Sequence, residues 1–410
     1  MKKITLLISS ALTVFGLNAQ ITDTVSLGAE YVNDVYYSLE NNEVKTVERD
    51  WDIAFQVSGM SSTIRINGAS GTELYNYPNG DISHWSSIDT SGISSWTKYY
   101  NSDSSWSKGA FSQTSSGMFD LGWGIYNMST HYVTGDSLFI IKLSNLEYKK
   151  LWIDRLASGV YYFKYSDLDG SNEVLDTLKK DDYINKNFGY YSIQNEVEID
   201  REPDNTSWDL VFTKYGKAIT PSYYMGVTGV LGNDGVSVNE VSGIHNEDAD
   251  TLNTSFSNSI SVIGYDWKTY DYLTRQYSAN DSLTYFIKAK DSQLWKLVFT
   301  GFGGSSSGNF YFTKEKITSS VGTQELNISS VGTFPNPASN LLNIVFDQKN
   351  ADESKIDIYN ISGVKIYSNT IQGHRGINTL KLNVDNYASG LYMINISSQG
   401  GSILSKIMVK

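Results

Sequence analysis

One short pattern, written twice, constrains this chain more than anything else in it. Trp51-Asp-Ile-Ala-Phe55 returns as Trp208-Asp-Leu-Val-Phe212, and each copy follows a doubled tyrosine, Tyr36-Tyr-Ser-Leu39 and Tyr190-Tyr-Ser-Ile193. Further matches come in the same order. Asp136-Ser-Leu138 answers Asp281-Ser-Leu283, Leu151-Trp152 answers Leu294-Trp295, and Ser158-Gly-Val-Tyr-Tyr-Phe163 answers Ser307-Gly-Asn-Phe-Tyr-Phe312. Five ordered matches at nearly constant spacing read as one unit duplicated. Side chains alternate along a strand, so Trp51, Ile53 and Phe55 are expected on one face and Asp52 on the other. There a carboxylate caps a turn or stays in water. Asp52 and Asp209 could instead form a catalytic pair, but their equivalence in the repeat points to a structural role.

No stretch shows helical periodicity beyond a turn near residues 179–187. The chain has 29 Tyr, 16 Phe and 34 Gly against 5 Pro, a balance of strands and turns. The expected fold is all-β: two related antiparallel β-units of five to seven strands each, at 20–170 and 171–317. A polar linker at 318–333 leads to a small Ig-like β-sandwich at 334–410. That last segment alternates in short runs such as Leu342-Asn-Ile-Val-Phe346 and Leu391-Tyr-Met-Ile394, separated by turn residues. Pro335 and Pro337 hold its start extended.

The net charge of −12 and the lack of a basic run argue against nucleic acid as a partner. There is no cysteine, which excludes disulfides, a lipidated N-terminal cysteine, a thiol nucleophile and thiolate metal sites. Lys2-Lys3 before the apolar run Ile4 to Leu17 reads as a signal peptide over 1–19, cut after Ala19. No other apolar run reaches the ~18 residues that a transmembrane span needs.

Four blocks in the tail carry a resemblance. They are Phe334-Pro-Asn-Pro337, Asp357-Ile-Tyr-Asn-Ile-Ser-Gly363, Ala388-Ser-Gly-Leu-Tyr392 and the terminal Lys406-Ile-Met-Val-Lys410. In this order they resemble the type A C-terminal sorting domain of the type IX secretion system of Bacteroidota. The resemblance implies a route through the periplasm, with residues 334–410 recognised by the secretion machinery and then removed. The body is then released or attached to surface lipopolysaccharide, so the location is secreted or outer cell surface.

The body carries another. The doubled-tyrosine strand, Trp51-Asp-Ile-Ala-Phe55 and Ile64-Arg-Ile-Asn-Gly-Ala-Ser-Gly71 resemble the HmuY-type haem-binding proteins of Bacteroidota. Haem as cofactor is what that resemblance implies. Haem iron takes His, Met, Tyr or Cys as axial ligand. The interval from Glu73 to Gly135 holds His84, His131, Met118 and Met128, which are the candidate haem ligands. In the same Ser/Gly-rich interval Trp85, Trp96, Trp106 and Trp123 either stack on a glycan ring or pin a long loop to the sheet.

Two patterns that suggest chemistry read better as turns. Gly304-Ser-Ser-Ser-Gly308 spells a nucleophile elbow but precedes a strand, where the motif needs a helix. Asp167-Leu-Asp-Gly-Ser-Asn-Glu173 lacks the full spacing of a calcium loop. The chain is therefore expected to be a non-enzymatic surface protein with no catalytic residues and no metal site. Its body is expected to bind haem, with a glycan- or protein-binding adhesin module as the alternative.

Overall fold

The computed structural model describes residues 20–59, 62–220, 223–251, 255–317, 327–398 and 401–410. The expected signal peptide and residues 318–326 of the expected linker lie outside them. The chain divides into two compact units, Met1–Thr318 and Ser319–Lys410. Among the described residues every helical segment is a 3-10 turn of three or four residues, and the fold is all-β. The turn expected near 179–187 is Lys180–Tyr183.

Among its described residues the larger unit contains four main sheets arranged as two sandwiches. One is contiguous in sequence, over residues 50–199. Its outer sheet runs Val174–Lys179, Val160–Asp167, Tyr148–Ala157, Phe139–Lys142, Glu73–Asn76 and Lys98–Tyr99, with a short hairpin beside it. Its inner sheet runs Val197–Ile199, Phe188–Ser192, Ile53–Gln56 and Ile64–Ile66. The other sandwich is split. Its outer sheet runs Ile21–Ser26, Asn309–Ile317, Leu294–Phe302, Leu283–Lys288 and Ser237–Ser242. Its inner sheet runs Tyr223–Gly232, Leu210–Thr220, Asn33–Ser38 and Asn42–Glu48.

The two sequence repeats therefore exchange their opening strands. The doubled-tyrosine strand of the first repeat pairs with the Trp-Asp strand of the second, Tyr37 opposite Leu210 and Tyr36 opposite Val211. The reciprocal pairing keeps the same register, with Tyr191 opposite Ile53 and Tyr190 opposite Ala54. Likewise Ile21–Ser26 closes the sheet that Asn309–Ile317 belongs to, as Val174–Lys179 does beside Val160–Asp167. The division at 170/171 in the sequence is thus not a division between sandwiches. One repeat match also shifts. Leu151 faces Phe139 and Leu297 faces Tyr285, and each next core position, Ile153 or Phe299, lies at a β-bulge. Leu297, not Leu294, is the counterpart of Leu151.

The inner sheets explain why their strands read as unbroken apolar runs. Ile53–Gln56, Phe188–Ser192 and Leu210–Thr213 are buried at every residue, because each inner sheet is covered on both faces. Ile53, Phe55 and Tyr191 enter the core of the contiguous sandwich, and Val35, Tyr37, Leu210 and Phe212 that of the split one. The opposite faces, with Ala54, Phe188 and Tyr190 on one sheet and Tyr36 and Val211 on the other, meet each other. Trp51 joins this meeting face and not the core side of Ile53 and Phe55, because it precedes the regular strand.

Asp52 and Asp209 are both buried and cap turns. Asp52 accepts from the Gln194 N–H at 3.0 Å, and Asp209 from the Leu39 N–H at 2.8 Å. Each thus clamps the turn that follows the other repeat's tyrosine strand. Burial pushes both carboxyls upward, and the backbone N–H groups pull them back.

Among its described residues the smaller unit is a seven-stranded sandwich of Ile328–Phe334, Leu341–Gln348 and Gly376–Asn383 against Lys365–Gln372, Glu353–Asn360, Gly390–Ser398 and Gly401–Val409. Its alternation buries Leu342, Ile344, Phe346, Ile356, Ile358 and Ile394 together. The first strand starts at Ile328, so the end of the expected linker is already part of the sheet. The Phe334–Pro335 and Asn336–Pro337 peptides are both cis.

Candidate functional site

Where the two inner sheets face each other lies a cavity of 280 Å³. The repeat builds its centre. Tyr36 and Tyr190 occupy equivalent places, and their hydroxyls are 3.4 Å apart. Trp208 meets Tyr36 edge-on at 4.9 Å, and Trp51 meets Tyr190 in the same manner at 5.2 Å. All four rings line the cavity.

A loop over residues 98–109 closes one side. Arg65, buried on the strand Ile64–Ile66, donates to the carbonyls of Ser105 (2.8 Å), Ser102 (3.0 Å), Trp106 (3.2 Å) and Lys108 (3.3 Å). A guanidinium has enough N–H groups to hold a loop that lacks regular structure of its own. Trp106 lies over that guanidinium at 5.0 Å and donates its indole N–H to the Gly232 carbonyl at 2.8 Å. Gly109 is required here, since a Cβ would stand 1.9 Å from the Ile64 carbonyl oxygen. At the far end Tyr100 stacks on Tyr224 at 4.1 Å, and Lys217 pairs with Asp103 at 3.0 Å.

Charged groups are unusually deep. Asp34 accepts from Arg201 Nη2 at 3.0 Å and from Thr213 Oγ1 at 2.5 Å, and Arg49 Nε stands 3.8 Å away. Glu202 accepts from the Phe188 N–H at 2.8 Å, and burial pushes its carboxyl up to about 7. Burial works against charge on Arg201, yet the neighbouring Tyr36 and Asp34 raise its pKa above the ordinary value. Several polar atoms of the lining have no partner among the described residues: Nε1 of Trp51 and of Trp208, Nε of Arg201, Oη of Tyr215 and Oγ1 of Thr72.

The four candidate haem ligands lie elsewhere. His84 sits on a 3-10 turn with Nδ1 at 3.3 Å from Ser83 Oγ and its ring against Tyr77. His131 has φ 59° in the hairpin between Gly124–Asn127 and Tyr132–Gly135, bonded to the Tyr126 hydroxyl at 2.8 Å. Met118 and Met128 are 83% and 67% exposed. None of the four lines the cavity.

The loop tryptophans are mostly pinned. Trp123 is fully buried and donates to the Ser62 carbonyl. Trp85 donates to Glu173 at 2.8 Å with Lys164 over its ring at 4.1 Å, and Trp96 packs on Tyr75 and Tyr77. Of these, Trp106 alone lines the cavity. Sequence reasoning missed Trp51, Trp208, Arg201 and Asp34 as site residues. The repeat itself was the signal, for an exchange of strands brings the two copies of one motif face to face.

The two turn readings fit the fold. Gly304–Ser306 is a 3-10 turn joining Leu294–Phe302 to Asn309–Ile317. Asp167 pairs with Lys149 and accepts from Ser171 and Asn172 within one hairpin.

The secretion system C-terminal sorting domain matches residues 332–410. No curated protein matches the chain. Among solved structures, dimeric latent PorU from Porphyromonas gingivalis overlaps 68% of this chain and 26% of its own, at 10% identity and a TM-score of 0.17. The BSP domain of a biofilm associated protein overlaps 96% of this chain and 81% of its own, at 9% identity and a TM-score of 0.18. Overlaps this loose do not define a shared fold. None of these matches supports the HmuY-type resemblance of the body. Residues 332–410 are a type IX sorting domain, which implies export to the outer surface or the medium.

Proposed function

We propose that the chain is a non-enzymatic binding protein, exported through the periplasm by the type IX machinery, whose body holds a small ligand between its inner sheets. The match of the sorting domain to residues 332–410 carries the export half of this reading. The binding half is supported by the cavity and by the polar atoms left without partners in its lining. A non-catalytic body fits the engagement of the cavity's deepest carboxylates, Asp34 by Arg201 and Glu202 by backbone N–H. His84, His131, Met118 and Met128 do not line the cavity, so a small polar ligand is placed ahead of haem.

Removing residues 327–410 should leave the body folded and trapped in the periplasm, scored by fractionation with an antibody to the body. Arrival of the truncated body outside the cell would refute the export reading. A hemin titration of the full chain is expected to give no Soret band that depends on His84 or His131.

A further inference from the structure

Resting on the reading of the body as a binding module, the charge around Asp34 narrows the ligand. Arg201 and Arg49 both approach this one carboxylate, and Lys214 lines the same cavity beside them. Arg49 donates through Nη1 to the Lys214 carbonyl at 2.9 Å, which draws the two residues together. Both Asp34 oxygens are already engaged, by Thr213 and by Arg201. Glu202 opposes these cations only in part, because burial raises its carboxyl to about 7 and leaves it partly protonated near neutral pH.

Glu30 also acts on Lys214, yet three cations still face only two full carboxylates, Asp34 and Glu30, so the cluster is short of negative charge in a chain whose net charge is −12. Burial is the main cause that lowers the pKa of Lys214, and repulsion from Arg49 adds to it. Crowded cations at a partly dry site are relieved by an anion that shares them.

The unpartnered donors sit in the same lining. The Arg201 side chain is 3% exposed with its Nε free, and Trp208 is 2% exposed with its indole N–H free. The indole N–H of Trp51 is likewise free. A buried N–H without an acceptor is costly, so these groups call for oxygen atoms. The hydroxyls of Thr72 and Tyr215 can both give and take a hydrogen bond. Aromatic rings beside such groups suit a body with one apolar face and a polar rim. Among the lining residues Met225 is 39% exposed and the Lys98 side chain 41%.

We infer that the cavity binds a carboxylate-bearing sugar, with its carboxylate toward Arg201 and Lys214 and its ring among Trp51, Trp208 and Tyr36. A flat aromatic acid would meet the charge but leave the hydroxyls of Thr72 and Tyr215 unused. The sugar could arrive free or as the acidic end of a glycan.

The test is calorimetric titration of the full chain with glucuronate, glucose and benzoate, repeated at raised salt and with Lys214→Gln. Glucuronate should saturate one site, with glucose and benzoate at least about tenfold weaker, the worth of one hydrogen bond to a charged group. Salt and Lys214→Gln should each weaken glucuronate, the variant by about tenfold, with a melting temperature no lower than the parent's. A glucuronate-ended oligosaccharide that binds tighter than the free acid supports a glycan end, and one that binds no tighter supports the free sugar. Equal binding of glucose and glucuronate, or an unaffected Lys214→Gln, would overturn the acidic assignment while leaving a binding module. No saturation by any probe, with a crystal structure showing only water in the cavity, would overturn both.

Discussion

Replacing Glu202 by Gln should stabilise the body above neutral pH. Glu202 is 1% exposed, and its carboxyl rises from 4.5 to about 7, first because burial penalises the charged form. An acid held above its unfolded value binds its proton more tightly in the fold. Its contribution is therefore fully present below about pH 4.5 and is lost as the pH climbs through about 7. At ~1.4 kcal/mol per unit, the loss approaches ~3 kcal/mol at pH 8. Glutamine keeps an acceptor for the Phe188 N–H and carries no charge.

All nine tryptophans lie between Trp51 and Trp295, so urea unfolding read by their fluorescence reports the body alone. Other groups titrate in this range. Lys268 is lowered to about 7 by burial, and it acts in the opposite direction, because stability rises with pH as the unfolded lysine loses its proton. The difference between variant and parent cancels that contribution. It should be small near pH 5 and grow to ~3 kcal/mol in favour of Gln by pH 8. A Glu202→Gln chain less stable than the parent at pH 8, or a difference that does not vary with pH, would refute the reasoning.

Further outcomes follow from the fold. Asp209→Ala leaves the Leu39 N–H buried without an acceptor and should cost ~1–3 kcal/mol in urea unfolding. Asp52→Ala should cost a similar ~1–3 kcal/mol through Gln194, and the two should add, since they serve different sandwiches. Phe212→Ala opens a cavity among Tyr37, Phe310 and Phe312 and should cost ~3–5 kcal/mol by the same assay. A fragment of residues 50–199 should unfold cooperatively by circular dichroism, because it carries both sheets of one sandwich. A fragment of residues 20–170 should not, since it lacks Phe188–Ser192 and Val174–Lys179.

Much of the fold was legible. Alternation marked the strands of the terminal sandwich because one face of each is solvated there, as in Leu341–Gln348. It placed Ile53 and Phe55 on one face correctly, but in Ile53–Gln56 and Leu210–Thr213, covered on both sides, the polar beat is lost and gave no sign that the opposite face is buried too. The duplication was visible, yet the exchange was not, because either copy of the doubled-tyrosine strand fits either copy of the Trp-Asp strand locally. Leu151-Trp152 and Leu294-Trp295 misled for a related reason. Identical letters fell out of register, with Leu151 and Trp295 in the cores and Trp152 and Leu294 outside them.

The site was less legible. Loose tryptophans and histidines in a polar interval drew attention, while Trp51 and Trp208 read as strand core. Their function as cavity walls depends on a pairing across more than half the body, which local pattern does not encode. Arg65 shows the same limit: inside Ile64-Arg-Ile66 it reads as a solvated strand residue, yet it anchors four carbonyls of the covering loop.

The exchanged strands, which make one cavity from two repeats, can be checked without any substitution. Glu40, at the turn after the first tyrosine strand, stands 2.7 Å from Lys316 at the end of the second repeat. Both are accessible, at 50% and 32% of their side chains. A zero-length carbodiimide cross-link on the monomer, digested and read by mass spectrometry, should return the Glu40–Lys316 peptide. Links from Glu40 only to lysines between Lys98 and Lys164 would place each repeat in its own sandwich and contradict the account.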